Sequence, residues 1–250
     1  MQYYFELFLF TGIDVCNRIK MLEKLIRKLS NRLQSQLVNK KISVETVLES
    51  LTLLPIELKM EYDSSIQEKL PQVERAGTIP ELFHRLNPLF TFIDYSLLHY
   101  LISEFGNFEL KNDMVSYVKG IEIFMRETTV GDVINHWSGG KIASEHFSEL
   151  WIKISDDPKT YTLENLNKLR KKLCSIIKLS EVLINIVRMV PASSFFAVWQ
   201  VPTVAVPELT EAINHVDKTF YKTEHVLMIL LDKKLLYQAD VNDKVKQLYK

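Results

Sequence analysis

Along residues 17–39 the apolar positions Ile19, Leu22, Ile26, Leu29, Leu33 and Leu37 recur at intervals of three and four, one stripe of a helix. From 43 to 134 helix starts and stops alternate. Ser43 caps a helix over 44–54 that ends at Pro55, and a second over 56–69 stops at Pro71. Thr78 before Pro80 and Glu81 opens a short helix through Leu86, closed by Asn87-Pro88. Asp94 is the expected cap of the next helix, with Leu97, Leu98, Leu101, Ile102 and Phe105 on one face and Gly106 as a left-handed stop. A helix over 109–126 buries Leu110, Met114, Tyr117, Ile121 and Phe124 or Met125. Thr129, with Asp132 three residues on, opens a last turn as a capping box. About six short helices with tight connections predict a bundle, for which the death fold is one solution.

After Ser138-Gly139-Gly140 the period changes from helical to alternating. ELWIKIS (149–155) reads as a strand and 162–177 as a helix. The stretches 182–190 and 195–201 are rich in β-branched and aromatic residues, and 191–193 between them has hairpin length. Pro207 begins a helix to about Tyr221, 226–231 is a full strand, and 235–237 forms a short one. This order, β-α-β-β-α-β, is the split βαβ of ferredoxin-like folds. The expected class is therefore α+β: an N-terminal segment with a basic helix (1–42), a helical bundle (43–140) and an α/β domain (141–250).

Composition narrows the function classes. The 250 residues are 47% hydrophobic and 25% charged with zero formal net charge, ordinary globular material with no global pull toward nucleic acid or anionic lipid. Two cysteines, Cys16 and Cys174, suit a reducing compartment rather than a disulfide scaffold, and Cys174 lies on the apolar side of its helix. The apolar start MQYYFELFLFTGIDVC carries Glu6 and no basic n-region, so it reads as a short strand or helix rather than a signal peptide. No stretch reaches the roughly 18 apolar residues of a membrane span. The expected location is the cytoplasm.

Local charge is more telling. Residues 17–41 hold eight basic residues and one acid, Glu23. Three readings fit: a membrane-surface helix, a helix docking on an acidic partner, or a short coiled-coil or linker helix with a solvated face. Lys20, Lys24, Arg27 and Lys28 are the candidate partner-binding residues.

Signatures of catalysis are missing from the sequence. The six histidines (84, 99, 136, 146, 215 and 225) form no close pair with Cys or Asp at zinc-ligand spacing. No phosphate-loop, dinucleotide, nucleophile-elbow or H-E-x-x-H motif occurs. No enzyme, cofactor or metal is expected. An alternative function rests on the sheet, because RNA-recognition domains carry stacking aromatics on the third strand of a split βαβ. Here SFFAVWQV places Phe195, Ala197 and Trp199 on one face, and Trp151 lies on the first strand. The basic-glycine start of the RNA motif is absent, so core packing competes with stacking for these rings.

The run PLFTFIDYSLLHYLISEFGNFELKNDMVSYVKGIEIFMRETTVGDV, with ASSFFAVWQVP downstream, resembles a helical-plus-α/β module of uncharacterised multidomain invertebrate signalling proteins. There it stands beside death-fold domains, ankyrin repeats or signalling NTPases. The resemblance covers about residues 43–237 and rests on patterns such as D-Y-x-L-L-x-x-L-I-x-x-F-G. It implies a non-enzymatic adaptor or scaffold of cytosolic signalling, innate-immune or apoptotic, binding other proteins or itself rather than nucleic acid. It carries over no catalytic residue.

Overall fold

A computed structural model describes residues 14–52, 76–134, 137, 147–177, 184–192 and 194–239. The apolar start, the expected 56–69 helix, the glycine pair at 139–140, His136 and His146 lie outside the described residues.

Helix α1 (Val15–Asn39) buries Ile19, Leu22, Leu25, Ile26, Leu29, Leu33 and Leu37. A helix of this length is held by tertiary packing more than by propensity, at about 1.5–3 kcal/mol for each large apolar side chain buried. Around it pack α3 (Ile79–Leu86), α4 (Ser96–Phe105), α5 (Phe108–Glu127) and the single turn α6 (Val130–Val133), so the basic helix is itself part of the bundle core. Helix α2 (Val44–Thr52) begins where Ser43 Oγ accepts from Thr46 N at 3.2 Å. Thr78 caps α3, Asn107 caps α5, and Thr129 and Asp132 close a complete capping box on α6.

The α/β half is a five-stranded antiparallel sheet ordered β2-β3-β1-β4-β5, with β1 at Phe147–Ile154, β2 at Asn185–Pro191, β3 at Phe195–Pro202, β4 at Val226–Leu231 and β5 at Lys234–Gln238. Helix α7 (Leu163–Ile177) joins β1 to β2. Helices α8 (Val206–His215) and α9 (Lys218–Thr223) join β3 to β4. The fold is therefore α+β, N-terminal helices followed by a sheet with its own helices. Along β1 the buried residues Ser148, Leu150, Ile152 and Ile154 alternate with partly exposed ones, and the buried set joins Phe195, Ala197 and Trp199 of β3 on the inner face. Among the described residues no helix is long and apolar enough to cross a membrane.

Three local expectations are corrected. Asp94 does not cap α4, whose N-cap is Tyr95; the Asp94 side chain is turned inward. Gly106 is extended (φ −67°, ψ 149°), not left-handed, and its need for glycine is steric. A Cβ there would lie 2.5 Å from Ile102 O. The helix from Pro207 to Tyr221 is two helices, because Val216 is extended and Asp217 starts α9 by accepting from Thr219 N at 3.0 Å.

The two halves share one hydrophobic cluster and are sewn together by polar contacts. Asp94, in the loop before α4, forms an ion pair with Arg170 of α7, with side-chain exposures of 4% and 3%. The other Asp94 oxygen accepts from Ile186 N at 3.1 Å and Thr91 Oγ1 at 3.3 Å, while Arg170 donates to Asn167 Oδ1 at 2.6 Å and Ile184 O at 3.4 Å. Burial pushes the Asp94 carboxyl up from its usual range, and the Arg170 guanidinium and these hydrogen bonds pull against that rise. A second crossing is backbone: Thr129 bridges Thr162, Val130 N donates to Tyr161 O at 2.8 Å, and Leu163 N donates to Thr128 O at 2.9 Å.

Candidate interaction site

The basic run on α1 divides by position around the helix. Arg18 and Arg32 point along the seam with α5: Arg18 pairs with Glu127 at 3.5 Å and stands 4.9 Å from the Phe124 ring centroid, and Arg32 pairs with Asp113 and, at 3.6 Å, Glu109. Lys20, Lys24, Arg27 and Lys28 stand on the solvent side of the helix instead. All four are exposed, and among the described residues no carboxylate pairs with any of them. The structure thus brings together the four candidate residues read from the sequence, on the face of α1 opposite Leu22, Ile26, Leu29 and Leu33. At a rise of about 1.5 Å per residue, Lys20 and Lys28 are about 12 Å apart along the axis.

The sheet aromatics do not form one surface. Phe195 and Trp199 are fully buried on the inner face, Phe195 with its centroid 5.4 Å from that of Tyr161, so neither ring can accept a base. Trp151 lies on the opposite face. Trp151, Phe195 and Trp199 thus do not share one face: Trp151 pairs with Val198, the neighbour of Trp199, and successive residues of a strand point to opposite faces. The outer partner of Trp151 is Phe196, at 5.9 Å between centroids in an edge-on arrangement. Arg188 stands 4.9 Å from the Trp151 ring centroid and Lys153 5.7 Å from that of Phe196. Glu149 accepts from Trp151 Nε1 at 3.0 Å and pairs with Arg188 at 3.2 Å. These side chains engage one another, and both rings are only partly exposed.

The histidines are dispersed. His84 is exposed, His99 is half-buried and its imidazole is pushed down by desolvation, and His215 Nδ1 lies 2.8 Å from Glu211 O. His225, in the left-handed region at φ 57°, pairs with Asp156 where β1 ends and β4 begins. Its backbone carbonyl accepts from Ser155 N at 2.9 Å, so the pair pins two adjoining loop ends. Among the described residues no group of three or more His, Cys, Asp or Glu is placed to hold a metal ion. Cys16 and Cys174 are both free thiols, and Cys174 is buried.

Sequence reading missed the outward stripe of α5. Phe108 is 81% exposed and Val115 47%, one beyond the other on the side away from Leu110, Met114, Tyr117 and Ile121. The signal lay in the same periodicity that identified the core, since residues 108 and 115 are seven apart and fall off the apolar stripe. No family model, curated protein or solved structure matches the chain.

Proposed function

We propose that the chain is a non-enzymatic adaptor of cytosolic signalling, in which a death-fold-like helical bundle and a ferredoxin-like α/β half hold surfaces for protein partners. The observation that carries this reading is the unpaired face of α1. Four cations stand in solvent on a helix whose opposite side is fixed in the core, and among the described residues none of them is in an ion pair. The antiparallel order β4-β1-β3-β2, with β3 lying between β1 and β2, supports the ferredoxin-like reading. Two free thiols suit the cytoplasm.

The test is affinity capture by the tagged chain from source-cell lysate, with and without nuclease, beside a variant carrying Lys24→Glu, Arg27→Glu and Lys28→Glu. A set of proteins that survives nuclease, is lost by the variant and falls steeply with salt is the expected result. Partners retained equally by the variant would end the claim.

A second reading, nucleic-acid binding on the sheet, is favoured only by Trp151 and Phe196 sharing the outer face beneath Arg188 and Lys153. It requires nucleic acid to co-purify with the chain and to be lost in Trp151→Ala. Trp199→Ala is the wrong probe, because removing that buried ring opens the core.

A further inference from the structure

Resting on the adaptor reading, we infer that the face shared by α1 and α5 receives an acidic peptide segment of a partner, with a large apolar residue at one end and carboxylates further along. The two helices run antiparallel side by side. Asn107 N donates to Gln36 Oε1 at 3.1 Å and Arg32 meets Glu109 and Asp113 at one end, and Arg18 meets Glu127 at the other. Between these crossings Lys28 comes level with Val115, and Lys24 with Lys119.

The combined surface is polarised. At the end near the start of α5 stands Phe108, more exposed than any other large hydrophobic among the described residues, with Val115 further along, level with Lys28. Toward the other end stand Lys20, Lys24, Lys28 and Lys119, all exposed and without an ion-pair partner among the described residues. The outward stripe of α5 carries one acid, Glu122, against Lys111, Lys119 and Arg126. Phe108 to Lys119 spans about 16 Å along the helix, a distance that about five extended residues cover. An exposed aromatic beside unpaired cations is the composition of an interface anchor with a steering field.

Charge selects a peptide over a bilayer. Exposed Glu104 and Glu109 flank Phe108, and Glu109 keeps 79% of its side chain in solvent even while facing Arg32. Inserting Phe108 among anionic headgroups would bring both carboxylates against them. A peptide instead matches apolar to apolar and acid to base at separate positions.

The experiment pans a displayed library of random peptides on the whole chain, then measures recovered clones on Phe108→Ser and on Lys24→Glu/Lys28→Glu. All three positions are exposed, so the variants keep the fold, which a thermal melt verifies. The expected clones place an aromatic or large aliphatic residue about three to five positions from Asp or Glu. Each variant weakens them about tenfold or more, and only the lysine variant flattens the salt dependence. Clones that bind both variants as tightly as the parent, or acidic clones indifferent to Phe108, overturn the inference. So does capture of the chain by ~30% phosphatidylserine vesicles or by oligo(dT) that the lysine variant abolishes, which would assign the face to lipid or nucleic acid. If lysate capture stays charge-dependent while panning shows no apolar preference, the adaptor reading stands and this one falls. A panned signature beside nuclease-sensitive capture overturns the adaptor reading alone.

Discussion

Two sets of charges in this molecule occupy opposite extremes. Asp94 and Arg170 are almost wholly out of water at the seam between the bundle and the sheet, each bound on several sides. Lys20, Lys24, Arg27 and Lys28 stand in water with no partner among the described residues. Removing two ions from water costs several kcal/mol per ion, offset only where the pair and its hydrogen bonds are complete. The seam pair therefore fixes how the halves meet without being a strong source of net stability. Unlike Arg18 and Arg32, these four α1 charges form no ion pair among the described residues that ties the helix to the rest of the fold. Location decides which charges serve architecture and which stand in solvent, where the proposed recognition would use them.

The largest expected effect breaks the buried set. Asp94→Asn keeps the shape of the side chain but leaves Arg170 buried without a counter-ion, a loss of about 3–5 kcal/mol in unfolding free energy. Denaturant titration of the whole chain measures it. The double change Asp94→Leu with Arg170→Leu removes both ions together and is expected to be less destabilising than Asp94→Asn alone. A double variant worse than the single one would mean that the pair contributes strongly by itself, and the contrast with α1 would lose its basis.

Much of this architecture was legible in the sequence, and the rest turned on contacts that the local pattern does not display. Periodicity located α1, α5, α7 and the β1, β3 and β4 strands because burial on one face imposes a repeat that local sequence displays. Caps at Thr78 and Thr129 were readable because their partners lie within three residues. Asp94 was misread because a short acid before a helix is the usual cap signal, whereas its true partners, Arg170 and Ile186, lie 76 and 92 residues away. Gly106 was misread for a related reason: the contact that demands glycine is a carbonyl of the preceding turn, and the stop signal is the same for either backbone. The basic face of α1 was visible as a run of charge. Its partition into seam residues Arg18 and Arg32 and free residues needed the position of α5. For Phe195 and Trp199 core packing and stacking both stood open, because alternation tells which residues share a side, not which side meets the core.

A smaller effect tests the second crossing of the seam. Thr129 both caps α6 and bridges Thr162, and its hydroxyl accepts from Asp132 N at 3.2 Å while Asp132 Oδ2 accepts from Thr129 N at 2.8 Å. Thr129→Ala loses one arm of that box and is expected to lower unfolding free energy by about 1 kcal/mol, with Thr129→Ser close to the parent. The strand-like bridge itself uses main-chain groups, so it survives either change. Hydrogen exchange at Val130 and Leu163 reads this directly. Protection lost in Thr129→Ala would make the hydroxyl, not the backbone, the holder of this crossing.

The smallest effect on stability falls on α1, and its sign is informative. Lys20, Lys24 and Lys28 are spaced one turn apart, so each neighbouring pair is a like-charge i,i+4 contact that disfavours the helix by about 0.2–0.5 kcal/mol. Lys24→Gln removes both repulsions. The melting temperature is therefore expected to hold or rise slightly, by an amount corresponding to about 0.5 kcal/mol, and high salt should narrow the difference. A fall would show that Lys24 supports the fold through a contact, and the claim that this face is free would fail. If the variant is more stable yet loses its protein partners, the parent sequence holds three repelling charges in a row for a reason outside folding. That pairing of gain and loss on one residue separates a recognition surface from an ordinary solvated helix face, where stability would shift in the same way and only binding would be indifferent to the change.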